Sequence, residues 1–232
     1  QIWGTYVNKD IGSFSSNGSQ DGFLALLHKN ELKSFRTIGG SGLDEIIGHA
    51  SLTNDTIVAG NFEGVFNWGN EVYSGEGKSS FISKLKGGEN EESIAIITSS
   101  GYIKSKYLRY NSAENAFFLS GEYDGTIKVK DRQISSISGL DVFIGKFNLN
   151  LECIALVSVG GEGTDRLTDF EIDSEGDLLF SATYTKPPYF MVSSLSDGNT
   201  PGTYIAKLGA ASLGLKDIFN PTDQNIAKIE TI

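Results

Sequence analysis

Four stretches of this chain carry the same strand signature, and that repetition limits the fold more than any single residue does. They read Asp21-Gly22-Phe23-Leu24-Ala25-Leu26-Leu27, Ser79-Ser80-Phe81-Ile82-Ser83-Lys84-Leu85, Asp141-Val142-Phe143-Ile144-Gly145-Lys146-Phe147 and Gly202-Thr203-Tyr204-Ile205-Ala206-Lys207-Leu208. Their central aromatics, Phe23, Phe81, Phe143 and Tyr204, follow one another at steps of 58, 62 and 61 residues. Repeats of this kind are stacking units: each is too small to bury its own apolar faces and must bury them against its neighbours.

Turn residues divide the second unit into four strands. Ser34–Ile38 leads into the turn Gly39-Gly40-Ser41-Gly42-Leu43-Asp44; Glu45–Thr53 and Thr56–Phe62 flank Asn54-Asp55; a longer connection from Glu63 to Lys78 reaches the signature strand. Ala59-Gly60-Asn61-Phe62, Ser120-Gly121-Glu122-Tyr123 and Ser181-Ala182-Thr183-Tyr184 recur 61 residues apart, an independent measure of the same period. The units are read as 34–90, 91–150 and 151–210. Residues 1–33 supply the third and fourth strands of a split unit, and 211–232 its first and second, at 213–219 and 226–232.

The expected fold is therefore all-β: a β-propeller of four-stranded antiparallel blades, with four repeat equivalents of about 60 residues. Either the N- and C-terminal strand pairs close a ring of four blades, or the chain is an open half of a larger ring that a homodimer would complete. The complementary split favours closure.

Composition narrows the function. Nineteen Lys plus Arg against twenty-nine Asp plus Glu give a net charge of −10, which repels phosphate backbones and anionic membrane surfaces; a nucleic-acid role is not expected. No apolar stretch approaches the roughly 20 residues of a spanning helix, so no direct membrane insertion is expected and the chain reads as soluble. Twenty-eight glycines beside four prolines suit short strands and tight turns. A single cysteine, Cys153, excludes an internal disulfide and lies in an apolar run that reads as a buried strand. Without an initiating Met or signal peptide, the chain reads as a processed or excised segment.

The succession Ile38-Gly39-Gly40-Ser41-Gly42-Leu43-Asp44, Ala59-Gly60-Asn61-Phe62-Glu63-Gly64 and Phe81-Ile82-Ser83-Lys84-Leu85 resembles the SBBP-type β-propeller repeat, as does Val159-Gly160-Gly161-Glu162-Gly163-Thr164-Asp165 followed by Tyr204-Ile205-Ala206-Lys207-Leu208. The third unit departs from the pattern: Thr98-Ser99-Ser100-Gly101-Tyr102-Ile103 lacks the Asp. The resemblance implies a secreted or surface-exposed bacterial protein, often one module of a larger polypeptide. Its long third-to-fourth connections are most similar to those of Bacteroidetes cell-surface proteins. The family shares no catalytic activity, so the resemblance speaks to fold before function.

Candidate sites have competing readings. Asp44 and Asp165, with Gly39, Gly40, Gly160 and Gly161, can hold the turns by accepting backbone N–H bonds, or contribute to calcium sites; the turn reading is preferred, because no compact Asp-x-Asp-x-Asp loop offers calcium its six to eight oxygens. No metal or cofactor is otherwise expected. Asp173-Ser174-Glu175-Gly176-Asp177 carries the same two readings, again with the turn preferred. Lys84, Lys146 and Lys207 read as guards of an outer strand edge. His28 and His49 have no His or Cys at ligand spacing, and no nucleophile elbow or catalytic triad order occurs. Trp68 and Tyr73 in one long connection, and Tyr189 and Phe190 in another, are the partner-contact candidates; Phe66 and Trp68 equally fit packing between blades. The chain is expected to be a noncatalytic extracellular recognition or scaffolding module for a protein partner or a surface glycan. A carbohydrate-active domain and a spacer in a surface assembly are the alternatives.

Overall fold

The computed structural model describes residues 2–6, 18–29, 31–68, 71–87, 90–190, 193–194 and 200–209. The strands expected at 213–219 and 226–232 lie outside them, as do residues 1 and 7 of the N-terminal strand expected at 1–7. Every regular element described is a strand, and every strand pair is antiparallel. The all-β, antiparallel expectation holds.

The chain builds four sheets in succession, the first two continuous with each other and with a hairpin from the third in one nine-stranded ladder. The first contains β1 (Ile2–Tyr6), β2 (Asp21–His28) and β3 (Glu31–Gly40). The second contains β4 (Glu45–Ser51), β5 (Asp55–Trp68), β6 (Glu71–Lys86) and β7 (Asn90–Ser99). In the third, β8 (Tyr102–Asn111) and β9 (Ala116–Asp124) are followed by a short hairpin of β10 (Thr126–Val129) and β11 (Arg132–Ser135) that pairs with β7 of the second sheet, and β12 (Asp141–Phe147) and β13 (Cys153–Val159) complete the third. The fourth joins β14 (Asp165–Ile172), β15 (Leu178–Tyr184) and β18 (Gly202–Leu208), with the two-residue strands β16 (Tyr189–Phe190) and β17 (Ser193–Ser194) in its long connection.

This pairing corrects the unit boundaries. The first strand of each sequence unit leaves its own unit and pairs with the fourth strand of the unit before: β3 with β2, β7 with β6, β13 with β12. Boundaries at 34, 91 and 151 therefore cut each sheet one strand early; the sheets change at the glycine turns instead. The same correction moves the lysines. β6 and β12 are internal strands, so Lys84 and Lys146 guard no edge; they pair with Asp55 and Glu114.

Bulges reproduce the repeat where side chains differ. The second-to-third strand ladders slip between Ile46 and Gly48, Ser105 and Tyr107, and Leu167 and Asp169. The fourth-to-first ladders slip after Leu26, Lys84 and Lys146. Each bulge adds local twist at the same register, so successive sheets are shaped alike and can stack.

Three apolar cores lie between the four sheets. Leu24 and Ile38 meet Val58, Phe62 and Phe81 in the first; Ile57, Ala59 and Ile82 meet Phe117, Leu119 and Phe143 in the second; Phe118, Val142 and Ile144 meet Leu167, Phe180 and Ala182 in the third. Neighbours in sequence thus belong to opposite cores, because the two middle sheets bury both faces. That is why Phe117-Phe118-Leu119 and Val142-Phe143-Ile144 are continuous apolar runs. Among the described residues the sheets do not close into a ring.

Candidate functional site

The expected loop from Glu63 to Lys78 is a hairpin that prolongs β5 and β6, with Phe66 opposite Tyr73 and Trp68 opposite Glu71. Alternation sets its faces: Phe66 and Trp68 turn inward while Val65 and Asn67 turn out. Each long connection then clasps the preceding sheet. Gly39 and Gly40 pair with Asn67 and Phe66, Thr98 and Ser99 with Lys128 and Ile127, and Gly160 with Tyr189. A Cβ on Gly40 would stand 1.6 Å from the Val65 carbonyl oxygen, so the clasp needs a glycine there.

These clasps place the aromatic candidates. Trp68 is 1% exposed, its ring against Phe66 and Phe81 and its Nε1 donating to Ser83 Oγ at 2.8 Å. Tyr73 is half-buried against Phe66. Tyr189 lies over Gly161 and is 43% exposed. The side chain of Phe190 lies outside the described residues. Tyr189 is thus the member of the set whose described ring faces solvent.

The glycine turns assemble a buried pair of carboxylates at two of the three junctions. Asp44 N–H donates to the Gln20 carbonyl at 2.8 Å, and Asp165 N–H to the Leu140 carbonyl at 2.6 Å, which sets each beside the Asp that opens the preceding signature strand, Asp21 or Asp141. All four are 0% exposed. Gly40 N–H donates to Asp44 Oδ2 at 2.7 Å, and Ile137 N–H to Asp141 Oδ2 at 3.0 Å. Burial pushes Asp44 up to about 6, with the Gly40 and Glu63 amides opposing and the Asp21 and Glu63 charges adding. Burial and then the Asp141 charge push Asp165 up to about 7; the Gly161 amide opposes this without reaching hydrogen-bonding geometry. Burial also raises Asp141.

The middle junction is built differently. Where Gly39 and Gly160 back the carboxylates of Asp21 and Asp141, Thr98 faces Ser79, and Ile103 stands at the register position of Asp44 and Asp165. Here a groove of about 200 Å³ opens among Gln20, Leu43, Glu45, Asn61, Glu63, Lys78, Tyr102 and Lys104. Asn61 fixes its floor. Its Nδ2 donates to Glu45 Oε1 and to the Ser105 carbonyl, both at 2.9 Å, and its Oδ1 accepts from Ser80 Oγ at 2.7 Å and from Ser105 N–H at 2.8 Å. Lys104 pairs with Glu45 at 3.4 Å, and the Lys78 ammonium sits 5.1 Å from the centre of the Tyr102 ring. The lining is charge-balanced, with two carboxylates and two ammonium groups around the Tyr102 ring, and Phe62 and Ile103 add apolar surface.

Elsewhere the chemistry-bearing groups are engaged. Asp173, Glu175 and Asp177 converge, but Lys207 occupies their centre at 2.8, 2.6 and 3.3 Å, and Asp173 Oδ1 accepts the amides of Glu175 and Asp177. The Lys207 hydrogen bond holds Asp173 below the usual carboxylate range. Arg132 approaches Cys153 through its carbonyl, yet burial pushes the thiol up to about 12, far from a reactive thiolate. His49 is half-buried, with its pKa lowered by burial, and joins no ligand cluster among the described residues; the His28 side chain lies outside them.

Asp21 and Asp141 escaped the sequence reading as functional partners, although both were quoted in the strand signature. The signal was available: Asp opens the signature where the following turn ends in Asp, and Ser79 opens it where that turn ends in Ile103. The groove had no sequence signal, because it is lined from three sheets. In comparisons with known proteins, no family model and no curated protein matches the chain.

Proposed function

We propose that this chain is a noncatalytic recognition or scaffolding module of an extracellular or cell-surface protein, built as an SBBP-type β-propeller. The observation that carries the reading is the fate of the acidic groups. The converging aspartates are buried in inter-sheet turns or neutralised by Lys207, and of the two carboxylates that do line a groove, Glu45 and Glu63, the first is tied to Asn61 and Lys104 rather than free to act as the acid or base of a glycosidase. Three packed cores and three clasps then form a rigid frame that presents loop side chains such as Tyr189 to a protein partner.

Ring closure is part of the proposal. Among the described residues β1 pairs with β2 alone and β18 with β15 alone. Among those residues the first sheet has no counterpart of β4, β8 and β14, and the fourth none of β3, β7 and β13. The strands read at 226–232 and 213–219 are of those two kinds. A solution mass near 25.0 kDa supports self-closure into four blades, whereas a stable dimer supports two open halves in a larger ring.

The charge-balanced groove beside Tyr102 favours a glycan ligand as the second reading, since hydrogen-bonding groups around an aromatic ring suit a neutral sugar. A glycan array combined with a reducing-sugar release assay on the full chain separates the readings. No binding and no release supports protein recognition; binding weakened by Tyr102→Ala supports the glycan reading; release of sugar overturns the noncatalytic one.

A further inference from the structure

We propose that Asp21 with Asp44, and Asp141 with Asp165, are proton-sharing latches that hold the first sheet to the second and the third to the fourth while each pair retains a proton, and that they loosen when it is lost. The inference is independent of what the chain recognises.

Geometry carries it. Asp44 and Asp165 sit at the entry to β4 and β14, in the sheets that follow β2 and β12, so each pair spans a junction. Glycine is required behind each latch: a Cβ on Gly39 would stand 2.2 Å from Asp21 Oδ1, and one on Gly160 would stand 2.3 Å from Asp141 Oδ1. The middle junction changes all three positions together, to Ser79, Thr98 and Ile103, none of which titrates. Such a coordinated exchange marks one interacting unit present twice.

Asp44, Asp141 and Asp165 are short of donors. Asp44 Oδ1, Asp141 Oδ1 and both oxygens of Asp165 make no hydrogen bond among the described residues. Two buried carboxylates cannot both ionise cheaply, whereas a shared proton removes one charge and supplies an O–H donor. Besides its partner Asp21, Asp44 faces Glu63 from β5. The groups facing the second pair are Asp124 from β9, Ser158 from β13 and the Tyr204 hydroxyl from β18. No lysine or arginine is among the groups that perturb Asp44, Asp141 or Asp165. Amide donors to Asp44 and Asp141 also make these poor cation sites, because an N–H repels a metal ion.

The sign follows from linkage. Asp44 and Asp165 titrate near 6 and 7 in the fold, against about 4 in an unfolded chain. Their stabilisation is complete below about pH 4 and is lost as the pH rises through 6 to 7, with the unfolding constant growing by up to about tenfold per pH unit for each latch. His49, whose pKa burial lowers, acts in the opposite direction around its own titration.

The test is urea unfolding of the full chain from pH 5 to 8.5, wild type against Asp44→Asn/Asp165→Asn, in which His49 is common to both. An amide mimics the protonated acid. The expected result is a wild-type midpoint that falls with rising pH, and a variant that loses this slope and exceeds wild type at pH 8. Parallel curves overturn the proposal. Should the variant fail to fold, carboxyl carbon NMR titration of the wild type decides: Asp44 and Asp165 midpoints near 6 and 7 support the latches, and midpoints at or below about 4.5 overturn them.

Discussion

The junction between the second and third sheets and the junction between the third and fourth solve one problem with different chemistry. At the first, the buried join is a neutral amide, with the more exposed Lys104–Glu45 pair beside it: Asn61 reaches from β5 to both backbone groups of Ser105 on β8. At the second, the register-equivalent residue is Glu122, almost fully buried, and it is met by Lys106 and Arg166. Lys106 also donates to the Leu167 carbonyl, and Arg109 grips Glu171 through two nitrogens. The neutral junction has Ser79 and Ile103 in place of a carboxylate pair and opens a groove; the ionic one keeps the pair. Equivalent positions thus preserve a contact while exchanging its chemistry. The two junctions are expected to respond differently to pH and salt.

Four measurements break or sharpen this contrast. The largest effect belongs to Gly160→Ala, whose new Cβ would stand 2.3 Å from Asp141 Oδ1; a loss of about 3 kcal/mol in chemical unfolding is expected, against about 1 kcal/mol for Thr98→Ala at the equivalent site. Equal losses would mean that the junctions do not differ in packing. Next comes Asn61→Ala, which leaves the buried N–H and C=O of Ser105 without their side-chain partner and is expected to cost about 2 to 3 kcal/mol. Hydrogen exchange should show faster exchange at Ser105 N–H, with the Asp165 amide unchanged.

Glu122→Gln is expected to cost less, about 1 to 2 kcal/mol, because Lys106 and Arg166 are 28% and 57% exposed and can turn to water. Its deficit should shrink in high salt, whereas that of Asn61→Ala should not. Lys207→Gln should have the smallest effect on stability, visible mainly at low ionic strength, since its three carboxylate partners lie in a solvent-facing turn. A large, salt-independent loss there would show that the acidic turn supports the fourth sheet.

Local pattern made the repeat and the strand type legible. The recurring strand signature set the period, and the glycine turns marked where the chain changes direction. Trp68 was ambiguous, because inward strand packing and partner contact use the same residue type; only the neighbouring Phe66, Phe81 and Ser83 place it inside. The lysine reading failed because edge or interior is a property of the neighbouring strand, and for Lys84 and Lys146 that strand comes from the next unit.

By itself the sequence determined the period, the antiparallel all-β class and the apolar faces, since these depend on turn chemistry and alternation among residues close in the chain. Tertiary structure alone decided that the first three sheets borrow their last strand from the next unit, that the long connections clasp the sheet before them, and that Asp21 lies beside Asp44 and Asp141 beside Asp165. Those contacts form between sheets, where stacking distance and register bring groups together and no fixed sequence spacing records the meeting.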